Sequence, residues 1–373
     1  MVMSTSSGTQ TIPLEEVPTP ALVVDAVIAR RNIDRMAGYV AEHGLKLRPH
    51  TKTHKSRTIA RLQIDAGAVG LTVAKVGEAE QMAEACDDLL MAYPAVDRAR
   101  CDRLAQLAHT KTVRVAIDSA FALESLAGAA VAAGSTIGLL VDLDVGMGRT
   151  GVANPDEALA LARLIAGRPG VRLDGLMCYP GQVWEPADQQ AKPLAAVAAK
   201  LQETIDLWAK HGLEAAIVSG GSTPAAFQSH LVPPLTEIRP GTYVFNDMNT
   251  VRGGYCTPDD CAARIVCTVI SDAVKGQVVI DGGTKTFTSD ACIPARDSGH
   301  GLIVEYPGAK ITRLSEEHGQ VDVTLCDVRP KVGERISVIP NHICPCVNLQ
   351  DRFWWLEGRA LRPITVDARG KLS

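Results

Sequence analysis

From about residue 20 to residue 245, short β-branched runs alternate with Ala- and Leu-rich amphipathic stretches, and this rhythm constrains the fold more than any single motif. Ala21–Val24 reads as a strand and Val27–Glu42 as a helix; Leu45–Pro49 is followed by a helix from about Ser56 to Ala66. The alternation continues through Val69–Val73, Asp88–Ala92, Val113–Ile117, Ile137–Leu143 and Leu173–Cys178, and ends with Ala216–Val218 and Glu237–Val244. Eight or nine strand–helix units predict a parallel sheet, and that number suits a closed (β/α)8 barrel of ~250 residues. A doubly wound sheet is the competing arrangement. After Asn246 the rhythm changes to strand-like runs punctuated by turns, from Arg264–Ile270 to Arg352–Glu357, with no long helices between them. The expected fold is therefore α/β: a barrel over 15–250, followed by an all-β domain over 251–373 that also takes in residues 1–14.

Composition excludes several function classes. Lys and Arg number 38 against 42 Asp and Glu, a net charge of −4, so no general polyanion surface is expected and nucleic acid is not an expected partner. No run approaches the ~20 apolar residues of a membrane span. The stretch Met1–Gln10 is polar and uncharged, without the basic region and apolar core of a secretion signal, which makes cytoplasmic the expected location. Ten cysteines are spread along the chain and read mostly as buried thiols in a reducing compartment. Cys346 is placed with these structural thiols.

In a (β/α)8 barrel the reacting groups collect at the C-terminal strand ends. Those ends carry Arg48-Pro49-His50-Thr51-Lys52-Thr53-His54-Lys55, Tyr93-Pro94, Asp142-Leu143-Asp144 leading to Gly146-Met147-Gly148-Arg149, and Cys178-Tyr179-Pro180-Gly181. The series closes with Ser219-Gly220-Gly221-Ser222-Thr223 and Arg239-Pro240-Gly241-Thr242-Tyr243. Glycine- and hydroxyl-rich turns let backbone N–H groups close around a phosphate. A lysine at a strand end, crowded by Arg48, His50, His54 and Lys55, is suited to imine formation with an aldehyde, because neighbouring cations free its amine.

The PHTKTHK string, the GMGRTGV and GGST turns and the PGTYVF stretch resemble the D-serine dehydratase/D-threonine aldolase family. The resemblance runs from Thr19-Pro20-Ala21 to the C-terminal strands. It implies pyridoxal 5'-phosphate as cofactor, an alanine-racemase-like barrel with a β domain, and a homodimer acting on small D-amino acids. Residue by residue, it implies Lys52 as the Schiff-base lysine and catalytic base, with His50 beside it. Arg149 and Tyr179 would lie near the ring, Tyr179 also close to the substrate. The phosphate cradle would be Gly220, Gly221, Ser222 and Thr223 with Gly241 and Thr242, followed by Tyr243.

A second constellation is His342-Ile343-Cys344. On an extended segment, alternate residues share a face, so imidazole and thiolate would point the same way, a borderline-soft pair suited to zinc. The resemblance implies a divalent metal at His342 and Cys344; zinc is favoured, manganese or magnesium being the alternatives. It also bears on the reaction. Family aldolases carry aspartate as the second ligand and a histidine six residues after the tyrosine; here these places hold Cys344 and Glu185. The expectation is a lyase of 3-hydroxy D-amino acids, dehydration (D-serine or D-3-hydroxyaspartate type) favoured over D-threonine-type aldol cleavage, with amino-acid racemisation a more distant alternative.

Overall fold

The computed structural model describes residues 11–373, so the expectations placed on residues 1–10 lie outside the described residues. It divides into two compact units. One comprises Ile33–Tyr243 with Gly253–Tyr255 and Asp367–Ser373; the other comprises the described residues up to Asn32 with Val244–Arg252 and Cys256–Val366.

The first unit is the barrel. Eight strands lie side by side in the order Lys46–Leu47, Glu237–Ile238, Ile217–Gly220, Val171–Cys178, Ile137–Leu143, Thr112–Ile117, Asp88–Met91 and Leu71–Val73, and every pairing is parallel. The ring closes through a His50–Thr72 bridge and through the amides of Val69 and Thr72, which donate to Leu47 O and Pro49 O at 2.9 Å. Strand Ile137–Leu143 is buried at every residue, as a parallel strand covered on both faces requires. The helices start where the sequence supplies caps. Asn154 accepts from the Glu157 amide ahead of Pro155, and Ser119 from that of Ala122.

With few aromatic side chains available, part of the barrel interior is filled by charge. The Arg48 Nε reaches both Glu237 carboxylate oxygens at 2.9 Å, and its Nη1 reaches Asp88 Oδ1 at 2.6 Å. Arg114 joins Asp88 to Asp174, and Arg172 covers Asp174. On the other side Ser219 donates to Glu237 at 2.6 Å and accepts from Arg239 Nη1 at 2.8 Å. Arg48 and Glu237 side chains are each 3% exposed, so their attraction is weakly screened and each depends on the other.

The second unit is strand-rich. Strand Ala263–Ser271 pairs with Ala21–Asp25, Gln277–Ile280 and Arg335–Ile339, all antiparallel, and Arg352–Glu357 pairs with Ala360–Thr365. Ala21–Asp25, expected as the opening barrel strand, belongs here, between Ala263–Ser271 and Arg352–Glu357. A continuous apolar run suits the centre of either sheet, so its pattern does not distinguish them. Two short strands, Ile12–Pro13 and Ala360–Thr365, were not expected from the sequence.

Replacing Glu237 with Leu should lower stability by about 3–5 kcal/mol, because it leaves Arg48 buried beside one remaining partner. The double change Glu237→Leu with Arg48→Met should recover much of that loss. Urea midpoints of the two variants, compared with the parent, measure it.

Candidate functional site

The strand-end loop of the first barrel strand holds Lys52. His50 caps a short 3-10 helix, Thr51–Thr53, and its Nδ1 accepts from the Lys52 amide at 3.4 Å. The buried Thr51 donates to Glu78 Oε1 at 2.7 Å and to Thr72 O at 3.1 Å, anchoring the residue before Lys52 to the neighbouring strand end. Lys52 itself is exposed, while Thr51, Thr53, His54 and Lys55 around it are buried. Lys55 holds a left-handed backbone (φ 49°), and its carbonyl accepts from Ala368. The loop is thus a rigid ledge with one lysine standing out of it. Burial, then the charges of Lys52 and Arg239, hold the His50 imidazole well below its ordinary range, so it is a neutral neighbour to the amine.

The two glycine turns are closely packed and tied to each other. Gly221 sits at φ +84°, which side chains rarely adopt, and a Cβ on Gly220 would meet Leu235 Cδ2 at 2.5 Å. A Cβ on Gly241 would crowd His50 O and Thr53 Oγ1 at 3.1 Å. Thr223 Oγ1 accepts from the amides of Gly241 and Thr242 at 3.2 and 3.1 Å, tying the turns together. The amides of Gly221, Ser222 and Thr223 meet no acceptor among the described residues, although Ser222 is only 4% exposed. Unsatisfied amides at a strand end are the donor set a phosphate group takes. The donor chemistry of this turn fits the phosphate of pyridoxal phosphate.

Arg149 lies over the Tyr179 ring, 4.8 Å from its centroid, and both line a small cleft with Asp142, Asp144, Met147 and Thr150. The buried Asp142 carboxyl accepts from Thr150 at 2.9 Å, and burial raises it to about 6. Arg239, unassigned in the sequence reading, is also buried; its Nη2 donates to Cys178 O at 2.8 Å. Its place beside Cys178-Tyr179, fixed through Ser219, makes it a cation of the site that only the tertiary structure reveals. Tyr243 is turned elsewhere: its hydroxyl accepts from Gln63 Nε2 at 2.9 Å, and Gln63 Oε1 meets His54 Nε2 at 3.2 Å. Its side chain is buried in that network, which ties it to the lysine loop. Glu185 is exposed and accepts from the Trp184 amide at 3.1 Å.

The expected extended His-x-Cys segment is helical instead. His342 is the N-cap residue, in extended conformation, of the helix Ile343–Asn348, and Cys344 lies in its first turn. Pro345 is tolerated there because first-turn N–H groups have no helical partner, and Asp247 Oδ2 accepts from Ile343 N at 3.0 Å. His342 and Cys344 side chains nonetheless contact each other, and His342 Nδ1 lies 3.0 Å from Asp290 Oδ2. Burial lowers the His342 imidazole, but Cys344, Asp247 and Asp290 outweigh it and raise the group to about 9. A carboxylate on Nδ1 holds the ring in place, as is also seen at metal-binding histidines. Among the described residues no group of three or more His, Cys, Asp or Glu is arranged to hold a metal ion. The structure brings two side chains of metal-ligand type into contact, His342 and Cys344. Cys346 points away, donating to Phe287 O and His342 O, in keeping with a structural thiol.

The family described as alanine racemase, N-terminal domain, matches residues 24–249, and a serine dehydratase domain matches 262–356. D-threo-3-hydroxyaspartate dehydratase of Delftia sp. (strain HT23) is 32% identical, over 87% of this chain and 90% of that protein. The chain belongs to the D-serine dehydratase/D-threonine aldolase family. The solved D-threonine aldolase of Filomicrobium marinum superposes with a TM-score of 0.91 at 32% identity, over 97% of this chain and 99% of its own. A cysteine-to-alanine mutant of a D-threo-3-hydroxyaspartate dehydratase, solved in the metal-free form, reaches 0.88 at 28% identity, over 95% and 98%. No described helix of this family member is long and apolar enough to cross a membrane.

Asp142 gives a pH test. Its carboxyl is raised from 3.8 to about 6, so between those values the folded protein holds a proton that the unfolded chain has released. Stability should fall as pH rises through that window, by up to about 3 kcal/mol, and Asp142→Asn should flatten the slope. Urea midpoints at pH 4.5 and pH 7 for the two proteins read the difference.

Proposed function

We propose that this protein is a lyase of D-amino acids bearing a 3-hydroxyl group, and that dehydration to a 2-oxo acid and ammonia is its main reaction. Lys52 would anchor pyridoxal phosphate, and His342 and Cys344 would hold a divalent metal, zinc by the softness of the donors. A cytoplasmic homodimer completes the reading. The observation that carries it is the single exposed lysine on a buried strand-end ledge, in the same barrel as a turn whose three successive amides lack acceptors.

Pyridoxal phosphate supplies an electron sink that makes bonds at the substrate's α-carbon labile. The chain's residues do the rest. Lys52 Nζ, beside the neutral His50, takes the α-proton. The Gly221, Ser222 and Thr223 amides would hold the phosphate end of that cofactor. Arg149 and Arg239 provide positive charge near Tyr179. A metal on His342 and Cys344 would supply Lewis acidity to a departing hydroxide.

The choice of dehydration rests on two residues. Cys344 stands where aldolases of the family carry aspartate. Glu185 stands in the place of their histidine, and it is exposed and turned onto its own backbone, a poor setting for a base that must draw a hydroxyl proton.

Borohydride reduction of the protein loaded with pyridoxal phosphate should fix the cofactor on the Lys52 peptide; labelling of Lys55 overturns the anchor. With D-serine, D-threo-3-hydroxyaspartate and D-threonine, the main products should be 2-oxo acid and ammonia. Glycine and an aldehyde as main products would reverse the choice of reaction, and no product from any of the three would end the lyase reading. Chelation should stop turnover with the cofactor absorbance retained, and Cys344→Ala should lose more than ~100-fold in metal affinity. Full turnover by metal-free protein, confirmed by elemental analysis, would remove the metal's role.

A further inference from the structure

Cysteine stands at both ends of the stretch Cys256-Thr257-Pro258-Asp259-Asp260-Cys261, which the reaction described above does not use. The stretch folds into one closed turn. Thr257 N and Oγ1 donate to Asp260 Oδ2 at 2.9 and 3.0 Å, and the Asp260 and Cys261 amides donate to Thr257 O and Pro258 O at 3.0 and 3.1 Å. Asp260 Oδ1 accepts from Arg31 Nη2 at 3.0 Å, and its carbonyl accepts from Asn32 Nδ2 at 2.8 Å and Asn246 Nδ2 at 3.1 Å. A turn held at this many points keeps its flanking residues together, and the two thiols are hydrogen-bonded to each other. Cys256 is half-buried, whereas Cys261 is closed off from solvent.

The two sulfurs are not equivalent. The bond from Cys261 holds the Cys256 thiol below its ordinary range, against burial and the charges of Asp260 and Asp247, while the same bond and burial push Cys261 up. Burial pushes Cys101, Cys178, Cys267 and Cys346 up as well. A half-exposed sulfur with thiolate character beside an enclosed second sulfur is the arrangement of a nucleophilic and a resolving thiol. Cys256 also reaches beyond the turn. Its Sγ donates to Thr250 Oγ1 at 3.3 Å, and Thr250 donates to Asp247 O at 2.7 Å from its hydroxyl and to Asp247 Oδ1 at 3.1 Å from its amide. The other Asp247 oxygen accepts from Ile343 N, between His342 and Cys344. A disulfide sulfur carries no proton to give Thr250, so oxidation removes the first bond of that chain.

We propose that Cys256 and Cys261 form a reversible dithiol–disulfide site, oxidised by hydroperoxides, and that its oxidised form loosens the turn carrying His342 and Cys344. The Cys256 thiolate attacks one peroxide oxygen and breaks the O–O bond; Cys256 becomes a sulfenic acid, and the other oxygen takes up a proton and leaves as water. The Cys261 sulfur then attacks Cys256, the S–O bond breaks and a second water leaves. Two thiols lose two electrons and two protons, which turn hydrogen peroxide into two waters. An external dithiol reverses the change by exchange. Neither step involves Lys52 or a cofactor, so the site stands or falls apart from the lyase reading.

The test treats the reduced full chain with dilute hydrogen peroxide, blocks the remaining thiols with iodoacetamide and maps the peptides by mass without reductant. Cys256 and Cys261 share the tryptic peptide 253–264, so their disulfide shows as the loss of two hydrogens and as resistance to the blocking reagent. That peptide should oxidise about tenfold or more faster than those of Cys86 and Cys326, which are also half-buried, and dithiothreitol should restore it. Amide exchange in Ile343–Asn348 should rise about three- to tenfold in the oxidised protein, the worth of one hydrogen bond. Cys261→Ala should stop the disulfide and leave a sulfenic acid at Cys256 that dimedone captures; should that variant not fold, the parent map decides. Earlier oxidation of another cysteine, a pair that stays reduced, or a disulfide with the exchange unchanged overturns the proposal.

Discussion

The Arg48–Glu237 pair is the interaction on which the barrel most depends. It joins the strands Lys46–Leu47 and Glu237–Ile238, the latter the last of the barrel strands in chain order, and both side chains are almost fully buried. Either charge left alone there would be costly, so the pair is stable only as part of a connected set. That set runs one way through Asp88, Arg114 and Asp174 and the other through Ser219 to Arg239. It therefore does two jobs: it fills an interior short of aromatic bulk, and it carries positional order from the barrel's middle to a buried arginine at the strand ends.

The lysine ledge is built by the same logic on a smaller scale. Glu78, Gln63 and Thr51 have no reacting role, yet their bonds to Thr51, Tyr243, His54 and Thr72 leave the loop few alternatives. A catalytic amine is useful only if its carbon chain moves over a fixed base, and here the base is fixed by buried polar groups with satisfied partners. The glycine turns contribute the opposite property. The Gly241 and Thr242 amides are held by Thr223 Oγ1, while those of Gly221, Ser222 and Thr223 meet no acceptor among the described residues and stay open to a ligand.

How much of this was legible in the residues depends on the range of the interaction that decides it. The alternation of strands and helices is a local signal, and it predicted the parallel barrel and the strand-rich second part. Lys52 and the glycine turns were legible because strand ends can be located from that alternation and because the motif PHTKTHK is distinctive. Ala21–Asp25 was misplaced because four consecutive apolar residues suit the middle of any buried sheet. The His342–Cys344 segment was misread because a helix of six residues leaves almost no periodicity, and Pro345 argues locally against one.

The sequence by itself determined the fold class and the family, and it singled out Lys52, His342 and Cys344, since each is written in short-range pattern or residue identity. Only the tertiary structure decided what those residues face. Asp290 on His342 lies 52 positions away along the chain, Glu237 on Arg48 lies 189 away, and Tyr93 under Lys75 comes from the next strand. Charge pairing and burial act through space, so a residue's partner, and with it its protonation and its task, is set by chain closure rather than by neighbours in sequence.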